Sequence, residues 1–224
     1  MFDLASFLPR AVMQGIPLLY GSTGEILTEK SGNLNLGIPG VMYVGGICGV
    51  IGAFFYEQST PAADMNAFLA IGIPMLCSLL GSLLMGLLYC LLTVTLRANQ
   101  NVTGLALTTF GVGTADYMVA QVKSASYSQA SRFFTATLPF ADKLGPVGKL
   151  LFSYGVLVWL AIIIAVVSSF VLSRTKVGLQ LRAVGENPAT ADAAGINVSR
   201  YRYVATLIGS GVAASAACAT LWIT

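Results

Sequence analysis

The residues able to do chemistry in this chain are few, and most are amides. The stretch "TEKSGNLNLGIPG" (28–40) carries Asn33 and Asn35 between a charged pair, Glu29 and Lys30, and the breakers Gly37 and Pro39. Asn101 lies further on, and the acids Glu25 and Asp116 sit within otherwise apolar runs. Amides can give and take hydrogen bonds with a polar solute, and an acid inside an apolar span is a functional candidate by default. The bland readings stand beside these: Asp116 as a solvated residue near a membrane interface, Glu25 as an acid capping the following turn. Histidine is absent, which removes the commonest general base and metal ligand. No metal site is expected, nor any catalytic residue. The run "GPVGKL" (145–150) is too short for a phosphate loop and lacks the Ser or Thr that would hold magnesium. Cys48, Cys77, Cys90 and Cys218 lie in apolar spans without metal-type spacing and read as small packing residues.

The elements that must carry these groups are membrane helices. Hydrophobic residues make up 56% of the 224 and charged ones 9%, against about 25% charged in a soluble domain. A crossing helix needs about 20 apolar residues. Residues 31–56, 65–96, 150–173 and 203–224 are free of charge, 98–122 is broken only by Asp116, and 7–28 forms a weaker span. The expected fold class is all-α, a polytopic transmembrane helical bundle of about six spans in one domain over 1–224. The net charge of +3 is spread along the chain, so no nucleic-acid partner is expected. The acidic N-terminus argues against a cleaved signal peptide. Lys and Arg favour the cytoplasmic side. The segment 174–202 holds Arg174, Lys176, Arg182, Arg200 and Arg202, which places it inside with Lys30 and Arg97. Arg10, Lys123, Arg132, Lys143 and Lys149 then fall outside.

Within 28–40, Pro39 suits a first helical turn, and irregular backbone at membrane depth needs cover by protein or water. Two readings stay open: a cytoplasmic turn, or a broken helix lining a translocation path. On the second, Asn33, Asn35 and Asn101 face a polar cavity, because amides in lipid are costly. Small residues recur at helical spacing (Gly45, Gly49, Ala53; Ser78, Ser82, Gly86; Ala205, Gly209, Ala213, Ala217), a pattern that permits close helix packing. The cytoplasmic segment contains its own short helix. Asn187 is a good N-cap, Pro188 suits the first position, and Gly195 suits a left-handed stop. Alanines fill its middle, and a small smooth helix of this kind suits a partner's cleft rather than a lipid surface.

"GEILTEKSGNLNLGIPGVMYVGG" (24–46) resembles the glutamate–arginine/lysine–serine–glycine–x–leucine–asparagine–leucine–glycine motif of nucleoside-type ABC importer permeases. "RTKVGLQLRAVGENPATADAAGINVSRYRY" (174–203) is similar to their cytoplasmic coupling region, and "NVTGLAL" (101–107) and "LGPVGKLLFSYGVLVWL" (144–160) match in kind and order. These permeases belong to the branched-chain amino acid, simple-sugar and nucleoside superfamily. The resemblance implies a multi-pass subunit of the cell membrane, not itself an enzyme. Its implied partners are two ATPase subunits or one ATPase with fused halves, a second permease subunit, an extracytoplasmic substrate-binding protein and membrane lipid. It implies no cofactor in this chain, ATP and magnesium being held by the partners. The implied cargo is a nucleoside, with a simple sugar as the alternative and an ion-coupled secondary transporter as the rival class. Glu25, Asn33, Asn35 and Asn101 are the candidate pathway residues. Gly185, Glu186, Asn187, Pro188, Ala191, Ala194 and Gly195 are the candidate coupling residues. Related permeases continue for several more spans, whereas this chain stops at "AACATLWIT" inside an apolar run. A C-terminal truncation is therefore expected, with residues 205–217 presenting a small-residue face that lacks its partner.

Overall fold

The computed structural model describes residues 4–61, 66–122 and 156–223. The connection 123–149, expected outside the membrane, with Lys123, Arg132, Lys143, Lys149 and most of "GPVGKL", lies outside the described residues, and Cys218 lies outside the described side chains. The rest is helical, with no strand among the described residues. Five long helices come first: α1 (Leu4–Glu29), α2 (Ile38–Ser59), α3 (Ala67–Cys90), α4 (Gln100–Val122) and α5 (Val156–Arg174). Helix α3 runs on through a π-helical turn, Leu91–Thr95. Two short helices, α6 (Lys176–Glu186) and α7 (Pro188–Ala193), lead into α8 (Val198–Ile223). Three helical stretches are long and apolar enough to cross a membrane: Ile38–Ser59, Phe68–Thr95 and Leu157–Arg174. Helices α1, α4 and α8 match the other three expected spans in position, with 26, 23 and 26 residues. Their polar residues lower their hydropathy, so among the described residues three helices meet the length and hydropathy of a span, and the expected count of six is not confirmed.

Helix α8 is the hub, packing against α1, α2 and α3, while α4 lies on α2 and α5 on α1. Small residues make these approaches possible. A Cβ built on Gly24 would lie 2.4 Å from the carbonyl oxygen of Gly209, so α1 and α8 touch backbone to backbone. One built on Gly111 would lie 2.5 Å from Gly40 O, which brings α4 equally close to α2. Cys48 and Cys77 pack opposite Gly81 and Gly52, and Cys90 is fully buried, as small fillers do.

The expected unpartnered face on α8 does not exist. Ala205, Ala213, Ala214, Ala216 and Ala217 are all at most 5% exposed. The chain's own α1, α2 and α3 cover that face. A stripe of small residues fixes how closely a helix can be approached, not which helix approaches it.

Candidate functional site

Residues 30–37 leave helical geometry between α1 and α2 and are built into the protein. Helix α1 ends through Ser31 N–H to Thr28 O (3.1 Å) and Gly32 N–H to Glu29 O (2.8 Å). Gly32 adopts φ +76°, a left-handed stop that favours glycine. Irregular backbone inside a helical bundle must find partners for its polar groups, and here three helices supply them while a fourth packs against the loop. From α4, the Gln100 side-chain oxygen accepts from Leu34 N–H (2.9 Å), its amide nitrogen donates to Gly32 O (3.4 Å), and Thr108 Oγ1 donates to Leu36 O (2.9 Å). From α3, the Tyr89 hydroxyl donates to Leu34 O. From α8, Arg202 Nε donates to Ser31 O (3.3 Å) and Thr206 Oγ1 accepts from Asn33 Nδ2 (3.1 Å). The fourth helix, α6, contributes backbone contact alone. A Cβ on Gly185 would lie 2.4 Å from Lys30 O, and one on Gly32 would lie 3.0 Å from Gly185 Cα. The two stretches singled out in the sequence therefore touch each other directly.

Asn33 and Asn35 are both fully buried. Asn35 Oδ1 accepts from Gly37 N–H (2.9 Å), forming a local side-chain turn that leads into α2. Each amide keeps unused capacity: Asn33 Oδ1 and Asn35 Nδ2 are buried without a partner, as is Ser210 Oγ nearby on α8. Asn101 stands apart from them. It is exposed on the first turn of α4, where its N–H is taken by Asn99 Oδ1 (3.0 Å). The residue that reaches the loop is its neighbour Gln100, because one step along a helix turns the side chain by about 100°. Glu25 is half-buried on α1, one turn before Glu29, and Asp116 is exposed on α4.

The coupling segment folds locally as its sequence dictates. Asn187 caps α7 by accepting from Thr190 N–H (3.2 Å), Pro188 opens the helix, and Gly195 closes it at φ +80°. Glu186, Asn187, Ala189, Ala193, Ala194 and Gly195 are exposed. Ala191, a candidate coupling residue, is 3% exposed and belongs to the chain's own packing. Helix α6, unforeseen in the sequence, rests on Gly178, Leu181 and Val184. A Cβ on Gly178 would come within 2.3 Å of Val171 O, which fixes α6 tightly against α5. Beside α7 a cleft of about 880 Å³ opens toward the end of α3, and both Arg97 and Arg202 line it. Arg97 has φ +54°, an uncommon backbone state for a residue with a side chain. Among the described residues no cluster of His, Cys, Asp or Glu could hold a metal ion.

A membrane bundle with a buried irregular loop, held by a short helical segment at one end, has the form of a transport component. Residues 8–224 match the family described as branched-chain amino acid transport system / permease component, and the chain belongs to that family. It is thus a multi-pass membrane transport component. The chain is 30% identical over 223 residues to a guanosine ABC transporter permease of Bacillus subtilis, covering 95% of this chain and 68% of that one. It is 31% identical over 200 residues to a nucleoside ABC transporter permease of Lactococcus lactis (88% and 60%). A Haloferax volcanii protein provisionally named a glucose ABC transporter permease is 30% identical over 216 residues (95% and 61%). The chain thus spans about three fifths to two thirds of these relatives' lengths. No solved structure gives a significant match.

Proposed function

We propose that this chain is the permease subunit of an ABC importer for nucleosides. Two partner ATPase domains would hydrolyse ATP, a second permease subunit would complete the path, and an extracytoplasmic protein would deliver the solute. The observation that carries the reading is the contact of Gly185 with Lys30 and Gly32, which joins the α6–α7 segment to the buried loop. An ATPase seated on the exposed end of α7 (Ala193) and the turn that follows it (Ala194 and Gly195), with Glu186 at its edge, would move α6, and α6 bears on the loop without a side chain between them. Gly185, Asn187, Pro188 and Ala191 then shape that lever rather than touch the partner. The unpaired Asn33 Oδ1 and Asn35 Nδ2 offer one acceptor and one donor, the kind of pair that a nucleobase edge can satisfy. In this state they are sealed, so the loop must open for them to meet a solute. Asn101 and Glu25 would lie further along the path. Nucleotide and magnesium would be held by the partners, and this chain would bring no cofactor.

Uptake of labelled guanosine and uridine by cells carrying the whole importer, in competition with adenosine, ribose and glucose, tests the assignment. Nucleosides should compete and sugars should not. Competition by glucose or ribose alone would turn the assignment to sugars, the reading that the Haloferax relative favours. Uptake that survives loss of the ATPase but collapses with the ion gradient would overturn the importer class.

A further inference from the structure

A second polar feature borders the start of the loop, on the rim of the bundle. A slot of about 410 Å³ runs between α1 and α5, within the usual size of a ligand site. Its walls include Leu19, Ile26 and Leu172, and two cations from separate elements, Lys30 and Arg182, line it as well. No carboxylate does so among the described residues, although Glu25 and Glu29 belong to the same helix as the wall. Serines and a threonine add hydroxyls. Ser22 and Thr23 spend their hydrogens on Leu19 O, which leaves their oxygens free to accept. The surroundings are those of a lipid-facing surface. On α5, Ile163, Val166 and Phe170 are 56–62% exposed. On α6, which carries Arg182, Val177 and Leu179 are 56% and 61% exposed while Leu181 and Val184 are buried.

We propose that this slot binds the headgroup of an anionic phospholipid. Its phosphodiester would sit between Lys30 and Arg182, its glycerol hydroxyls would reach the serines, and one acyl chain would lie along the α1–α5 seam. Charge complementarity selects the occupant: two cations with no internal acid beside apolar walls suit a phosphate that carries hydrocarbon, and basic pockets between membrane helices hold such headgroups. The proposal rests on α1 and α5 lying in the membrane and does not depend on the solute carried. Its consequence is that lipid would bridge α1, α5 and α6, the elements next to the Lys30–Gly185 contact.

Native mass spectrometry of the assembled importer tests this, after release from nanodiscs holding equal phosphatidylglycerol and phosphatidylcholine of the same chain lengths. Phosphatidylglycerol should be retained in preference. Arg182→Gln should lower its retention roughly fivefold, and the double variant with Lys30→Gln roughly 25-fold. Arg97→Gln removes the same charge outside the slot and should change nothing. Arg182 is exposed, so its single variant answers the question even if Lys30→Gln disturbs the turn. Equal retention of the two lipids, or unchanged retention in Arg182→Gln, would overturn the proposal. So would loss of the lipid in the assembled importer, which would mean that a neighbouring subunit fills the slot. Displacement by soluble glycerol phosphate as readily as by lipid would show that a free phosphate is the ligand and would equally overturn it.

Discussion

Replacing Gly185 with alanine asks how firmly α6 is held to the buried loop. The added methyl would sit 2.4 Å from Lys30 O, where ordinary contact begins at 3.4 Å, so α6 and the turn must separate by about 1 Å. The obstacle is a backbone carbonyl in a turn that side chains from α3, α4 and α8 already pin. Overpacking costs about 1–3 kcal/mol, and a fixed backbone obstacle belongs in the upper half of that range. Better helix propensity returns up to about 1 kcal/mol, which leaves a net loss of about 1–2 kcal/mol. The comparison is Gly113→Ala on α4, where nothing beyond the helix's own backbone lies within 4 Å of the added methyl and stability should hold or rise. Thermal unfolding in nanodiscs measures the difference, and the ATP hydrolysed per solute taken up measures coupling. Gly185→Ala should unfold earlier and spend more ATP per solute. Stability and coupling equal to those of Gly113→Ala would show that the contact transmits nothing.

Gln100→Ala strips Leu34 N–H and Gly32 O of their partners. It should destabilise the protein by about 1–3 kcal/mol in the same unfolding assay, while Asn101→Ala stays near wild type. Asn35→Leu should abolish uptake while membrane insertion, read by fractionation, persists; full uptake would leave Asn35 a turn residue only. Ala193→Trp, on the exposed side of α7, should release the ATPase on co-purification with the fold intact. Ala191→Trp should instead destabilise the chain by about 1–3 kcal/mol, because that site is buried.

Where strong local chemistry was involved, the sequence was readable. Asn187, Pro188 and Gly195 define α7 by capping and φ alone, and Pro39 marks the start of α2. The apolar runs locate the long helices, because hydropathy is a property of each segment by itself. Tertiary relations were less accessible. The meeting of Gly32 with Gly185 leaves no trace in composition, since each glycine serves by lacking a side chain. Gln100 and Asn101 are interchangeable as amides, and only helix phase separates them. Ala191 and Ala193 differ in the same way. Helix α6 has no clear signature in the sequence, because half of its surface is polar and it is too short to read as a span.

The Gly24–Gly209 contact gives α8 a fulcrum. Where two backbones meet this closely, carbonyl bumps oppose sliding more than tilting. Arg202 lies seven residues to one side and Ala217 eight to the other, arms of about 10 and 12 Å at 1.5 Å per residue. A tilt of about 10° would carry both ends about 2 Å in opposite directions by that geometry. A small push beside the coupling segment would thus reach the far half of the helix with its direction inverted.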